Sequence, residues 1–193
     1  VALTMMVHIA DAVDDRVAHV EVAGGKVDLG AKRLAALGYN SVRIHHYDGL
    51  IVDADQDGNF KINEEKLDQL IGWADVICIG CGLGQSSRSE KILLHTIEKA
   101  KCPCVIDADG LNLLAGRKDL YKKLGKNMIL TPHMKEMSRL TGISVSEIVE
   151  RRFEVLHRFT EESPCICVLK DSRTIVAQKD RQNFLNLAGN AAM

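Results

Sequence analysis

Residues 76–84 read VICIGCGLG, an apolar segment that runs directly into a glycine-rich loop. A short apolar run bounded by glycine is typical of a buried β-strand, and residues 87–97 after it have the apolar spacing of a helix. Further apolar segments lie at residues 104–107, 128–131 and 165–170, with helical patterns between them. This alternation predicts an α/β fold in which a mostly parallel sheet is covered by helices on both faces.

Capping residues indicate where several helices begin and end. Asn63 precedes a helical pattern, and Ser87 with Glu90 three residues later predicts a capping box for the helix after the glycine-rich loop. A short helix is expected to end near Gly142, and Ser144 is expected to cap a longer helix. The apolar residues of that longer helix are Ile148, Phe153, Leu156 and Phe159.

The remaining segments fit into the same domain. Residues 28–37 have helical spacing, residues 41–45 read as a strand, and residues 174–177 with 184–187 predict a hairpin at the sheet edge. The sequence contains no internal repeat, low-complexity segment or interdomain linker. Residues 1–193 are therefore expected to form one domain.

The composition is that of an ordinary globular domain, with 46% hydrophobic and 26% charged residues among 193. A formal net charge of −1 argues against a polybasic surface for nucleic acids or membranes. No apolar run approaches the roughly 18 residues that a membrane span requires. The sequence also lacks a secretory signal, so a cytoplasmic protein is expected. Its start at Val1, rather than Met, favours an origin inside a longer chain.

The cysteines allow two interpretations. The first two have the C-x-x-C spacing that is found in zinc sites. Each pair, however, lies in or beside a segment that reads as a buried strand, where free cysteine acts as a small apolar residue. Core packing in a reducing compartment is therefore the preferred interpretation. The six residues are Cys78, Cys81, Cys102, Cys104, Cys165 and Cys167.

Chemically active residues follow the predicted strands, at the ends where ligands bind in such sheets. In residues 80–86, glycines would let backbone amides approach a phosphate, although a tight strand-to-helix turn would need the same glycines. Residues 107–112 (DADGLN) place two carboxylates and an amide after a strand. That set suits magnesium held through water or sugar hydroxyls, and it equally suits helix capping.

Three later segments carry weaker signals of the same kind. In residues 131–136 (TPHMKE) the proline is expected to start a helix, with His133 and Glu136 on its first turn. Residues 170–174 (KDSRT) put a lysine and hydroxyls at a strand end, which suits a nucleotide phosphate or a charged hairpin turn. Residues 186–190 contain a Gly-Asn pair that is typical of a turn.

Residues 53–64 (DADQDGNFKINE) match the calcium loop of an EF-hand, with acidic residues, glycine and an apolar residue at the required positions. Residues 42–52 before it lack the period of the entering helix that an EF-hand needs. An acidic surface loop is the alternative, and calcium binding stays open.

Taken in order, these loops resemble the ADP/ATP-dependent NAD(P)H-hydrate dehydratases, a branch of the ribokinase-like superfamily with a three-layer sandwich fold. That family typically reads Gly-Pro-Gly-Leu-Gly, Asp-Ala-Asp-Ala-Leu-Asn, Leu-Thr-Pro-His-x-x-Glu-Met, Leu-Lys and Gly-Asn-x-x-Met. The counterparts here are residues 80–84, 107–112, 130–137, 169–170 and 189–193. Related small-molecule kinases usually have Asn where His133 stands, which favours the dehydratase branch.

The resemblance implies a lyase that repairs NADH and NADPH hydrated at the nicotinamide ring. Such enzymes phosphorylate the new hydroxyl with ADP or ATP and then eliminate phosphate, with Mg²⁺ as a cofactor and often as a homotetramer. The implied residues are Gly82, His133 and Glu136 for the substrate; Lys170, Asp171, Ser172, Arg173, Thr174, Gly189 and Asn190 for the nucleotide; and Asp107, Asp109 and Asn112 for magnesium through water.

The sequence departs from the family pattern in several places. Cys81 replaces the usual Pro of the family, and Gly110 replaces the usual Ala. The N-terminal substrate loop is not recognisable in residues 1–41, and the expected catalytic Asp would lie beyond Met193. Residues 1–193 alone are therefore expected to be inactive or severely impaired. The alternatives are a kinase of a small vitamin-precursor alcohol and a non-catalytic nucleotide- or calcium-binding module.

Overall fold

The computed structural model describes residues 61–188 continuously, together with the backbone of residues 3–8, 41–43, 52–54 and 60. The helix expected at residues 28–37 lies outside the described residues, as do the site residues Gly189 and Asn190. No helix in the described part of the chain is long and apolar enough to cross a membrane.

The strands and helices alternate from residue 60 onward, as the sequence predicts. The strands are β1 (Leu3–His8), β2 (Ser41–Arg43), β3 (Val52–Ala54), β4 (Phe60–Ile62), β5 (Val76–Ile79), β6 (Cys104–Ile106), β7 (Met128–Leu130), β8 (Ile166–Leu169), β9 (Ile175–Gln178) and β10 (Phe184–Leu185). The helices are α1 (Glu64–Trp73), α2 (Ser87–Lys99), α3 (Asp109–Ala115), α4 (Met134–Thr141), α5 (Val145–Glu150) and α6 (Arg152–Glu162), with a 3-10 helix at Lys118–Lys123.

Eight strands form one mixed sheet in the order β10-β9-β8-β7-β6-β5-β1-β2. Its centre consists of β5, β6, β7 and β8, which are parallel neighbours. The strands at the two edges pair antiparallel, and the hairpin predicted at one edge is β9 with β10. The α/β class is confirmed. Because the parallel strands lie side by side in chain order, their carboxyl ends meet at one edge of the sheet.

Burial alternates along each central strand and places the main core on one face of the sheet. Ile77 and Ile79 in β5 are almost fully buried, whereas Val76 and Cys78 between them are half-buried. The same period-2 pattern recurs in β6, β7 and β8. Burial of each such side chain contributes about 1.5–3 kcal/mol to the stability of the fold.

Three cysteines belong to this core, as predicted. Cys104, Cys165 and Cys167 are buried, and all six cysteines are free thiols. Burial raises the pKa of Cys104 to about 12 and that of Cys165 to about 11. Thiols held protonated in this way are poor nucleophiles and poor metal ligands. These three residues therefore act as packing groups.

The helix caps confirm most of the local predictions. Asn63 begins α1, and its side chain accepts a hydrogen bond from the backbone N–H of Lys66. Ser144 caps α5 in the same way by accepting from the N–H of Glu147. Gly142 ends α4 with a left-handed φ of 76°, a conformation that glycine adopts without steric cost.

Two predicted helix features are wrong. The cap of α2 is Ser86, which has extended backbone and accepts from the N–H of Ser89, rather than Ser87. Glu90 forms an ion pair with Arg117 instead of closing a capping box. The long helix after Ser144 is divided into α5 and α6, because the backbone at the junction leaves the helical region.

The backbone at the two ends of residues 53–64 differs from that of an EF-hand, the alternative that the sequence left open. An EF-hand requires a helix directly before the loop. Here Val52–Ala54 is β3, and it pairs antiparallel with Phe60–Ile62. The local pattern of acidic residues matched, but strand pairing determines the backbone.

Candidate functional site

The carboxyl ends of β5, β6, β7 and β8 bring together the segments that the sequence singled out. Backbone hydrogen bonds extend the sheet beyond the strand ends: the N–H of Asp107 donates to the carbonyl of Ile79 (3.0 Å), and that of Lys170 to the carbonyl of Pro132 (2.8 Å). An isolated parallel bridge also pairs His133 with Lys170. Because these loops are tied to the sheet, their side chains have defined positions.

Because Gly80 has no side chain, the backbones of the loops after β5 and β6 pack directly against each other. Its φ is 122°, and a Cβ at this position would lie 1.8 Å from the carbonyl oxygen of Asp107 and 2.7 Å from the backbone nitrogen of Gly110. No side chain fits in that space. The glycine that the sequence offered for a phosphate loop is therefore required by packing between the loops, whatever else it does.

Asp109 fastens the glycine-rich loop to the start of α3. Its two carboxylate oxygens accept hydrogen bonds from the backbone N–H of Gly84 (3.0 Å) and from the side-chain amide of Gln85 (3.1 Å). Ala108 just before it has a positive φ of 49°, a strained conformation for a residue with a Cβ. Such strain is common where surrounding contacts determine the backbone, and here those contacts hold Asp109 in place.

An ion pair joins the second and fourth of these strand ends. The ammonium of Lys170 lies 2.7 Å from Oδ1 of Asp107, although the residues are 63 positions apart in sequence. The lysine side chain keeps 37% of its exposure and the aspartate 26%, so both are partly accessible. Lys170 can therefore still reach a ligand while Asp107 fixes its direction.

The charge state of Asp107 follows from these contacts. Burial acts to raise the pKa of the Asp107 carboxyl, but the hydrogen bonds from Lys170 and the backbone of Ala108, with the lysine charge, lower that pKa below its usual value overall. The carboxylate is therefore ionised at neutral pH, and the pair carries one positive and one negative charge.

His133 is the N-cap of α4, so the helix begins at Met134, two positions after the proline that the sequence predicted as its first residue. Its Nδ1 accepts hydrogen bonds from the N–H groups of Lys135 (3.1 Å) and Glu136 (3.3 Å). The carboxylate of Glu136 accepts from the N–H of His133 (2.8 Å), which completes a capping box. Glu136 is buried, whereas half of the His133 side chain is exposed at the strand ends.

Several contacts at the site could not be anticipated. Arg139 of α4 donates to the side-chain oxygen of Asn112 (2.8 Å), and Arg152 of α6 lies 3.4 Å from the carboxylate of Asp171. Neither arginine has a local sequence signal, because each partner comes from a distant segment. The next two loop residues after Asp171, Ser172 and Arg173, are exposed, and Thr174 follows half-buried.

The residues proposed for magnesium are already bonded to other protein groups, so they could hold the ion only indirectly, through water. Asp107 bonds Lys170, Asp109 accepts from the glycine-rich loop, and Asn112 accepts from an arginine. Among the residues that the structure describes, no group of three or more His, Cys, Asp or Glu side chains is arranged to hold a metal. Mg²⁺ commonly keeps several waters and binds one or two carboxylates together with substrate phosphates, which is the arrangement these residues allow.

The fold and the strand-end residues together define a ribokinase-like α/β protein. A ribokinase-like superfamily protein of Enterococcus faecalis V583 superposes with a TM-score of 0.58 at 24% identity, over 66% of this chain and 44% of that one. At this identity the likeness concerns the fold, and it confirms the architecture expected from the sequence.

The chain belongs to the NAD(P)H-hydrate dehydratase family, whose model matches residues 22–193. It is 37% identical over 133 residues to the bifunctional NAD(P)H-hydrate repair enzyme of Escherichia coli K12. The aligned residues make up 69% of this chain and 25% of that protein. The ADP/ATP-dependent NAD(P)H-hydrate dehydratase of Bacillus subtilis, co-crystallised with ATP and Mg²⁺, superposes with a TM-score of 0.51 at 30% identity.

That superposition covers 61% of this chain and 40% of the Bacillus protein. The chain thus spans between a quarter and two fifths of the length of these two relatives. Family membership is established over most of residues 1–193, whereas the activity of the whole protein is inferred below.

Proposed function

We propose that the protein containing this chain restores hydrated NADH and NADPH in a reaction that uses ADP or ATP. Family membership supports the reaction class. The observation that carries the proposal is the convergence of Lys170, Asp107 and His133 at adjacent strand ends. Lys170 forms a 2.7 Å ion pair with Asp107, and its backbone bridges to that of His133, whose side chain is half-exposed. Such an edge of a parallel sheet is where these folds bind their ligands.

The nucleotide is proposed to lie on the side of β8. Lys170 offers the ammonium that a phosphate requires, and Asp171, Ser172, Arg173 and Thr174 follow in the same loop. Gly189 and Asn190, outside the described residues, complete the proposed nucleotide set. Magnesium would enter with the nucleotide phosphates near Asp107, Asp109 and Asn112, and there it would neutralise charge on the transferred phosphoryl group.

The hydrated nicotinamide is proposed to lie between Gly82 and His133. Gly82 is exposed in the glycine-rich loop after β5, and His133 is half-exposed at the end of β7. Glu136, proposed from the sequence as a substrate residue, has a buried carboxylate bonded to the backbone of His133. Its part in the proposal is therefore to position the histidine.

The proposed reaction has two steps. The terminal phosphoryl group of ADP or ATP is transferred to the ring hydroxyl, and the phosphate ester is then eliminated to restore the double bond. Phosphorylation converts a poor leaving group into a good one, and the protein contributes by positioning the two reactants and stabilising charge. The partly accessible ammonium of Lys170 is placed to stabilise the phosphoryl oxygens.

Recovery of NADH absorbance tests the proposal. The full native protein that contains this chain is given hydrated NADH, Mg²⁺ and either ADP or ATP. Recovery that requires a nucleotide supports dehydration and identifies the phosphate donor. A protein that binds ADP but restores no NADH with either nucleotide would contradict the proposal and point to the vitamin-precursor kinase.

A matched pair of variants ties the reaction to the site. Lys170→Met removes the strand-end ammonium, whereas Lys179→Met removes a surface lysine that pairs with Glu161 at 3.1 Å. A hydrogen bond to a charged group contributes about 1.5–3 kcal/mol, so Lys170→Met should raise the KM for the nucleotide by roughly 10- to 100-fold. Lys179→Met should leave it unchanged, and equal effects of the two variants would remove Lys170 from the site.

Cytoplasmic location and tetrameric assembly remain part of the proposal. Free thiols are usual in a reducing compartment, which supports the cytoplasm. Light scattering of the purified protein, read as molar mass, tests the assembly.

A further inference from the structure

The hydrogen bonds of His133 determine which of its two ring nitrogens can carry a proton. Nδ1 receives the backbone N–H groups of Lys135 and Glu136 at 3.1 and 3.3 Å. A nitrogen that accepts hydrogen bonds must present its lone pair, so Nδ1 is unprotonated. In a neutral imidazole the other nitrogen then carries the hydrogen, which places an N–H at Nε2.

A hydrogen on Nδ1 does not fit these contacts. It would point toward two backbone N–H donors, and the cap of α4 would be lost. Glu136 is the carboxylate facing the ring, with Oε1 3.5 Å from Nε2, and its other oxygen is occupied by the N–H of His133.

The Nε2–H group remains available to a ligand. A separation of 3.5 Å from Glu136 is longer than the 2.7–2.9 Å typical of a charge-assisted hydrogen bond. The His133 side chain is 49% exposed, and its backbone bridges to Lys170 at the proposed reaction site. A ligand atom that approaches from the strand ends therefore meets a donor.

We propose that His133 serves this site as a fixed hydrogen-bond donor through Nε2, and that it does not act as a general base. It would select a ligand oxygen that accepts, such as a carbonyl, hydroxyl or phosphate oxygen. A base at Nε2 would need its lone pair there, which would move the hydrogen to Nδ1 and break both cap bonds. The assignment of the tautomer stands on the structure alone, whereas the ligand part rests on the proposed function.

Nitrogen NMR of the intact protein tests the tautomer without any substrate. The chain has seven histidines, so the His133 signals are identified by their loss in His133→Ser. In the neutral ring we expect the hydrogen on Nε2 and an unprotonated Nδ1. A neutral ring with its hydrogen on Nδ1 would overturn the proposal even if the protein restores NADH. A correct tautomer in a protein that restores no NADH would refute the proposed function only.

Two variants separate the cap from the donor. Serine is among the best N-caps but ends short of the Nε2 position, so His133→Ser keeps the cap and removes the donor. His133→Ala removes both and should lower the Tm by about 2–4 °C, while His133→Ser should lower it much less. Both should weaken binding of hydrated NADPH about 5- to 10-fold, the usual effect of losing one neutral hydrogen bond.

The kinetic result distinguishes a donor from a base. Loss of a donor should raise KM or Kd and leave the pH dependence of kcat unchanged. Loss of a general base should lower kcat by roughly 100-fold or more and remove the acid limb of the pH profile. The second result, or wild-type binding of hydrated NADPH by His133→Ser, would refute the assignment of His133 as a donor.

Discussion

Substitution of Gly80 by alanine should damage the protein more than any other small change near the site. The added Cβ would lie 1.8 Å from the carbonyl oxygen of Asp107 and 2.7 Å from the backbone nitrogen of Gly110. Both neighbours are backbone atoms that are themselves hydrogen-bonded, so neither can rotate away as a flexible side chain could. The loops after β5 and β6 would have to separate.

Two costs combine in this variant. A residue with a Cβ held at a φ of 122° stores strain of about 1–3 kcal/mol. Extra volume in a packed interior costs about 1–3 kcal/mol more. Gly80→Ala should therefore lower the free energy of unfolding by about 2–6 kcal/mol, or the Tm by roughly 10 °C for a domain of this size.

Gly72→Ala provides the matched control. Gly72 lies in α1, and a Cβ there would meet no atom within 4 Å. Alanine favours the helix by about 0.5–1 kcal/mol, so this variant should be slightly more stable than the wild type. Urea unfolding followed by circular dichroism measures both. A loss below about 1 kcal/mol for Gly80→Ala would refute the packing of the two loops, since the strain alone exceeds that value.

Three further predictions concern charge, packing and thiol reactivity. Asp107→Asn breaks the ion pair with the lysine at the end of β8 and should cost about 1 kcal/mol at neutral pH. The folded pKa of this carboxyl is lowered, so the cost should persist above about pH 4 and vanish as the pH falls through the folded pKa. Urea unfolding at several pH values measures this cost. A cost that is independent of pH would contradict the prediction. Leu156 is fully buried in α6, so Leu156→Ala should lower the free energy of unfolding by about 2–5 kcal/mol. The side chain of Phe153 in the same helix is 49% exposed. An equal loss of stability in Phe153→Ala would contradict the orientation of that helix. Cys104 and Cys167 should react with a thiol reagent at pH 8 only after unfolding, and labelling of either in the native protein, detected by mass spectrometry, would contradict their burial.

Much of the fold was predictable because its signals are local. The apolar segments of β5, β6, β7 and β8 and the caps at Asn63, Gly142 and Ser144 are each defined by a few adjacent residues. Local patterns also caused the errors. Serines stand at two adjacent positions before α2, and only the backbone geometry shows that Ser86 is the cap. The acidic segment at residues 53–64 met the calcium-loop pattern, but the strands at its two ends pair antiparallel.

The sequence could name candidate residues for the site but could not predict their contacts. The sequence identified Asp107, His133 and Lys170 as candidates, since each follows a predicted strand. Their mutual arrangement depends on strand order, which joins Lys170 to Asp107 across 63 residues. The function of His133 as an N-cap depends on ring orientation, which no spacing rule specifies. The arginines that bind Asn112 and Asp171 have no sequence signal for the same reason.

The most direct test of the account is the balance of products in a single reaction. The full native protein is given hydrated NADH, Mg²⁺ and ADP, and NADH, AMP and inorganic phosphate are measured together. The proposed transfer and elimination predict that all three appear in equal amounts. Formation of AMP with a stable phosphorylated product, and without NADH or free phosphate, would contradict the account and show a kinase.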